Sequence, residues 1–188
     1  MTEGVETRAR RRTTLPHVDA VQEEASYAGG VEAGDFDEAL FFRSLFTSGA
    51  RVLLIGRQAL IALGLPVLTA DYDVWIAFED VERVNASLEP LDFVPTRSPE
   101  EARKTGRYAL ENSEHVDVLM ARAVSTVNGE PVAFEDVWSR RQCIALADGV
   151  DLFVPTIDDL IATKLFGARQ RDMADIALLE ALRRRRDA

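Results

Sequence analysis

The sequence predicts an α/β domain (α+β in detail): a mixed β-sheet flanked by helices, with C-terminal helices closing over it. Three observations carry this. Near-continuous apolar runs such as Val52-Leu53-Leu54-Ile55 have the length and composition of buried strands. Segments with apolar residues at helical spacing lie between and after those runs. Two turn-forming pairs, Asn128-Gly129 and Asp148-Gly149, give hairpin signals.

In chain order, residues 1–35 carry several glycines, many charges and little apolar period, and read as a flexible tail. Its cluster Arg8, Arg10, Arg11 and Arg12 reads as a solvated segment, with contact to RNA or an acidic partner as the other reading. A helix is expected from Asp37 to Phe46, on the stripe Leu40, Phe41, Leu45 and Phe46, with Asp35 as N-cap and Gly49 ending it. Arg51–Ile55 follows as a buried strand, Gln58–Leu63 as a short helix and Asp71–Ile76 as a second strand. A helix over 80–88, a short strand at Leu91–Val94 and a polar loop over Thr96–Gly106 come next. Tyr108–Leu110 and His115–Met120 read as strands joined by a turn at Glu111-Asn112-Ser113. Cys143–Leu146 and Val150–Val154 read as a hairpin about Asp148-Gly149. After Pro155 the chain turns helical, with Thr156 as N-cap and Asp159 three residues on, then a last helix from Asp172 to Arg184. The core is thus expected over 36–155, and 156–188 as helices packed on it.

Composition narrows the class. At 47% hydrophobic and 29% charged residues the chain is globular in make-up, and its 188 residues suffice for one domain with a core. A formal net charge of -10 disfavours general nucleic-acid binding, because phosphate is repelled. Cys143 has no cysteine partner, which excludes an intramolecular disulfide. No apolar run reaches the ~18 residues of a membrane span, and no apolar stretch follows the N-terminal arginines as a secretory signal requires. A cytoplasmic location is expected, and with only His17 and His115 present a zinc site is unsupported.

The chemistry concentrates in three carboxylates. Asp71 and Asp73 stand two apart on an expected strand, so both side chains leave one face. Like charges so close need a proton or a cation between them, and Mg²⁺ takes such carboxylates together with substrate phosphates. Asp117 interrupts the apolar alternation Val116, Val118 and is costly to bury alone. If its strand lies beside the first, three carboxylates meet as in a two-metal phosphoryl- or nucleotidyl-transfer site. A bare pair at this spacing is otherwise an ordinary strand edge facing water or Lys and Arg.

Context decides between these. The run Leu53-Leu54-Ile55-Gly56-Arg57-Gln58-Ala59-Leu60, ending in Leu68-Thr69-Ala70-Asp71-Tyr72-Asp73-Val74, resembles the signature of the DNA polymerase beta-like nucleotidyltransferase superfamily. Asp159-Leu160-Ile161-Ala162-Thr163-Lys164-Leu165, and then Arg169-Gln170-Arg171-Asp172-Met173-Ala174-Asp175-Ile176, resemble the last motifs of AbiEii-type toxin nucleotidyltransferases and of small lincosamide-type relatives. The resemblance implies catalytic and metal-binding roles for Asp71, Asp73 and Asp117. It implies nucleotide contacts at Gly56, Arg57, Thr69, Lys164, Arg171 and Asp172, with Asp175 also on a matching position. It further implies Mg²⁺ and a nucleoside triphosphate (NTP). The acceptor hydroxyl would be on tRNA, a protein or a small molecule, with an antitoxin partner if the role is toxin-like.

Several residues keep two readings. Arg57 replaces the family's Gly or Ser: it donates to a phosphate, or it fills the pocket, or it pairs with Asp71 or Asp73, the last two as in a catalytically inactive binding or interaction module. Lys164 reaches a triphosphate or is a surface lysine, and Arg171 with Asp172 either positions nucleotide or ties two helices. Thr69 hydrogen-bonds a carboxylate or phosphate, or only forms a turn. His115 shares the Asp117 face and reads as an edge histidine, with contact to the site as the other reading, and Trp75 reads as a core or rim aromatic that shares the Asp73 face.

Overall fold

A computed structural model describes residues 36–125, 129–146, 149–167 and 170–187, with the side chains of residues 166, 167, 170 and 171 left aside. The expected tail and its arginines, Arg169, Asn128 and Asp148 lie outside the described residues.

Helix α1 (Glu38–Phe46) starts where Asp37 accepts a hydrogen bond from the Leu40 N–H at 2.9 Å. Asp37, not Asp35, is the cap, because it stands the three residues from Leu40 that this bond needs. Strand β1 (Val52–Leu54) runs straight into α2 (Gly56–Ala62), and β2 (Tyr72–Ile76) follows. Asp71 therefore stands just ahead of its strand. Helix α3 (Val81–Leu88) leads to a short 3₁₀ turn over Glu89–Leu91 and to β3 (Val94–Pro95), where a strand at Leu91–Val94 was expected. Pro90 and the left-handed Asp92 (φ 61°) hold the first part of that segment in a turn.

The expected loop over Thr96–Gly106 instead holds α4 (Pro99–Thr105). Ser98 and Glu101 form a reciprocal capping box and Pro99 takes the first turn, so local capping makes a helix with one buried residue, Ala102. Strands β4 (Arg107–Glu111) and β5 (His115–Leu119) form the expected antiparallel pair. Two further hairpins follow: β6 (Ala123–Ser125) with β7 (Pro131–Ala133), and β8 (Gln142–Ala145) with β9 (Asp151–Val154). Between them lies α5 (Phe134–Ser139), which periodicity did not reveal because it has fewer than two turns. Helices α6 (Ile157–Gly167) and α7 (Gln170–Arg186) close the chain and pack on each other. The N-terminal end of α6 is fixed as expected: the Asp159 N–H donates to the Thr156 hydroxyl at 3.2 Å. The Asp159 carboxylate also takes Arg140 through two bonds of 2.8 and 2.6 Å.

The main sheet has five strands in the order β1-β2-β5-β4-β3, with β2 and β5 its parallel neighbours. Residues alternate between its two sides. One side carries Val52, Leu54, Tyr72, Val74, Ile76, Tyr108, Leu110, Val116 and Val118 into the large core, with Phe41, Phe42 and Leu45 of α1 and Val84 and Leu88 of α3. The other side carries Leu53 and Trp75 into a smaller core with Phe134 and Val137, and on the same side lie Asp73 and Asp117.

Candidate active site

The register sets the site. In the parallel pair β2–β5, Asp73 stands directly across from Asp117, Val74 across from Val118 and Trp75 across from Leu119. The two carboxylates therefore leave neighbouring strands from facing positions on the same side. Trp75 shares that side as its parity predicted, but it is fully buried, with its indole N–H donating to the Ala121 carbonyl at 2.8 Å. It roofs the small core rather than the acidic end.

Gly56 explains how Asp73 fits. Its φ of +63° is left-handed, and a Cβ there would stand inside contact distance of Asp73 Oδ2. The backbone seals the same junction: the Ile55 N–H donates to the Asp73 carbonyl at 2.9 Å. The first turn of α2 is thus pressed against the base of β2. Arg57 comes next and extends along the wall. Its Nε donates to Asp175 Oδ2 at 3.2 Å and its Nη1 to the Leu68 carbonyl at 3.2 Å. The larger side chain standing where the signature has Gly or Ser is thereby drawn to α7.

Asp175 is 2% exposed, and it receives Lys164 Nζ at 2.8 Å on the same Oδ2. Lys164 has a side chain only 10% exposed, so it is not a surface lysine. Burial pushes the Asp175 pKa up, but the bonds from Lys164 and Arg57 outweigh it and hold the carboxyl below the usual range. Its other oxygen, Oδ1, is buried and has no hydrogen-bond partner among the described residues.

These residues enclose a cleft of about 290 Å³. Gly56, Arg57, Thr69, Asp71, Asp73, Asp117, Lys164 and Asp172 all line it, so every site residue expected from sequence is there except Arg171, whose side chain lies outside those described. Sequence reasoning missed Thr163 and the apolar floor of Ile55, Leu119 and Val124; Asp175, on a matching position of the last motif, also lines the cleft. The signal for Asp175 was present: Asp172 and Asp175, three apart on a helix, share a face.

Thr69 serves its turn, accepting from the Asp71 N–H at 3.2 Å. Asp71 is exposed and Asp117 has a side chain 63% exposed. His115 is more than an edge residue: its Nε2 lies 3.4 Å from Asp117 Oδ1 and its Nδ1 3.4 Å from Glu111 Oε1. Among the described residues, no three His, Cys, Asp or Glu side chains come together as a ready metal-binding group. Asp71, Asp73 and Asp117 share the cleft without converging on one point. Among the described residues, no helix is long and apolar enough to cross a membrane.

No protein-family model and no curated protein matches the sequence. Solved structures do match. A candidate nucleotidyltransferase of Thermotoga maritima aligns at 12% identity and a TM-score of 0.50, over 78% of this chain and 88% of that one. The antibiotic-resistance factor ANT(2'')-Ia aligns in solution at 13% identity and a TM-score of 0.50, over 77% and 86% of the two chains. Its complex with adenylyl-2''-tobramycin aligns at 14% and 0.50, over 80% and 96%. With the strand order, the mixed sheet and the flanking helices described above, these likenesses show that the chain has the nucleotidyltransferase fold.

Proposed function

We propose that the chain is a nucleotidyltransferase that moves the nucleoside monophosphate part of an NTP onto an acceptor hydroxyl. The observation that supports this most is the facing of Asp73 and Asp117 across β2–β5, at a cleft that also receives Arg57 and Lys164. Carboxylates and cations in one cleft suit a ligand that is polyanionic and carries hard metal ions.

Magnesium fits the donor set. Asp71, Asp73 and Asp117 offer only carboxylate oxygens, and the exposed side chains of Asp71 and Asp117 can turn at small cost to meet Asp73. Held by these carboxylates, Mg²⁺ would supply charge neutralisation for the transfer. The chain's own residues do the rest. Lys164 and Arg57 hold phosphate charge from the α6 and α2 sides. Asp117 faces the acceptor and takes its proton as the hydroxyl oxygen bonds to the α-phosphorus. The bond from that phosphorus to the bridging oxygen breaks, and pyrophosphate leaves.

The acceptor is read as a small hydroxylated molecule rather than tRNA or a protein. Beside the cleft lies a second hollow lined by Asp71, Glu111, Glu114 and His115, an acidic rim that repels an RNA backbone. The ANT(2'')-Ia complex holds adenylyl-2''-tobramycin, which is consistent with a small acceptor. An AbiEii-type toxin role with an antitoxin partner would require a macromolecular acceptor, which this rim disfavours. The alternative of an inactive interaction module has Arg57 closing the cleft by pairing with its carboxylates; the guanidinium does pair with Asp175 on the cleft wall, while its other bond goes to the Leu68 carbonyl.

Calorimetric titration of each of the four NTPs with Mg²⁺ tests the proposal. Metal-dependent binding by the wild type, lost in an Asp71→Asn/Asp73→Asn variant that keeps its fold, is the expected result. A folded wild type that binds none of them overturns it.

A further inference from the structure

Asp175 is bonded in an uneven way. Both of its cations, Arg57 Nε and Lys164 Nζ, sit on Oδ2, while Oδ1 is buried without a partner among the described residues. A buried carboxylate oxygen left unpaired is costly, so such atoms are few in folded proteins. The residue is 2% exposed and belongs to the cleft wall. Lys164 and Arg57 hold it ionised, so Oδ1 can only accept. What it lacks is a donor, and the cleft is where one can arrive.

Resting on the nucleotidyltransferase reading, we propose that Asp175 is a binding residue that reads the sugar of the nucleotide: its Oδ1 accepts a hydrogen bond from a sugar hydroxyl of the bound NTP. The position of the cations favours the sugar over the base. Arg57 and Lys164 lie within 3.2 Å and 2.8 Å of Asp175, so a phosphate gripped by either stands next to this carboxylate. In a nucleoside triphosphate the donors nearest the phosphates are the sugar hydroxyls; those of the base lie farther off. Arg57 thereby gains a second part, because the residue that occupies the signature's small position also orients the reader of the sugar. Part of its donor fork is held by Asp175 and by the Leu68 carbonyl.

The test compares each NTP with its 2',3'-dideoxy counterpart and with inorganic tripolyphosphate, by calorimetry with Mg²⁺, on the wild type and on Asp175→Asn. The wild type is expected to bind the ribonucleotide about tenfold or more tightly than the dideoxy form, the size of a hydrogen bond to a charged acceptor. In Asp175→Asn that ratio is expected to fall toward unity, whatever happens to the affinities themselves. A structural role for Asp175 would weaken both nucleotides equally and leave the ratio intact. Should the Asn variant not fold, Asp175→Glu keeps the charge for Arg57 and Lys164 while displacing the oxygen, and the same collapse is expected. Equal binding of both nucleotides by the wild type, or an unchanged ratio in the folded variants, overturns this inference and leaves the transferase reading standing. Binding of neither nucleotide nor tripolyphosphate overturns both.

Discussion

The two sides of strands β2 and β5 are made from alternating residues of the same short segments, yet they answer to opposite demands. On one side Tyr72, Val74, Val116 and Val118 are buried, and the Tyr72 ring packs against Phe36, Phe41 and Phe42. On the other, Trp75 and Leu119 join a smaller core, and one step along each strand that core gives way to Asp73 and Asp117. The first side supplies stability by removing apolar surface from water. The second forgoes burial at one end and keeps a carboxylate pair that stability alone would not select. Because the side-chain period is two, each role can be altered with little effect on the other.

The sharpest way to break this contrast is to change one residue on each side. Asp73→Asn is expected to lower transfer by roughly two to three orders of magnitude, as when an electrostatic contributor is lost at a transition state, with the thermal midpoint nearly unchanged. Leu110→Ala, at a fully buried position of the large core, is expected to cost about 2–5 kcal/mol in urea unfolding, while the folded fraction binds nucleotide as before. A variant of either kind that moved both readouts would show that the sides are coupled.

Gly56→Ala tests the one place where they should be. It forces a Cβ into a left-handed conformation, at about 1–2 kcal/mol, and against Asp73 Oδ2. Both the thermal midpoint and the activity are expected to fall.

A smaller effect is expected from pH. The folded-state pKa of Asp175 lies below the ordinary carboxylate value, so its ion pairs contribute fully above about pH 4, the unfolded value, and are lost as pH falls through the folded one. Acid titration of stability should therefore be steeper for the wild type than for Asp175→Asn below that pH.

Much of this was legible in the sequence because it depends on local pattern. The apolar runs of β1, β2 and β5 and the stripe of α1 have the period of what they become. The motif residues, close in sequence within each motif, came to line one cleft. The missed elements depend on information that hydrophobic period does not carry. Helix α4 rests on its Ser98–Glu101 caps and buries only Ala102, and α5 is too short to show a period. The floor of the cleft, Leu119 and Val124, and the uneven bonding of Asp175 arise from contacts between distant segments, which no single window of sequence contains.

The parallel pairing of β2 with β5 has a consequence for the order in which the molecule is made. Asp73 and Asp117 meet only after α3, α4 and β4 have been threaded between their strands, and Lys164 and Asp175 are added later still. Parallel, non-local pairings close late in folding, after local helices and hairpins. On a ribosome, the carboxylates, the cations and the carboxylate that holds those cations would come together only as the last helices emerge.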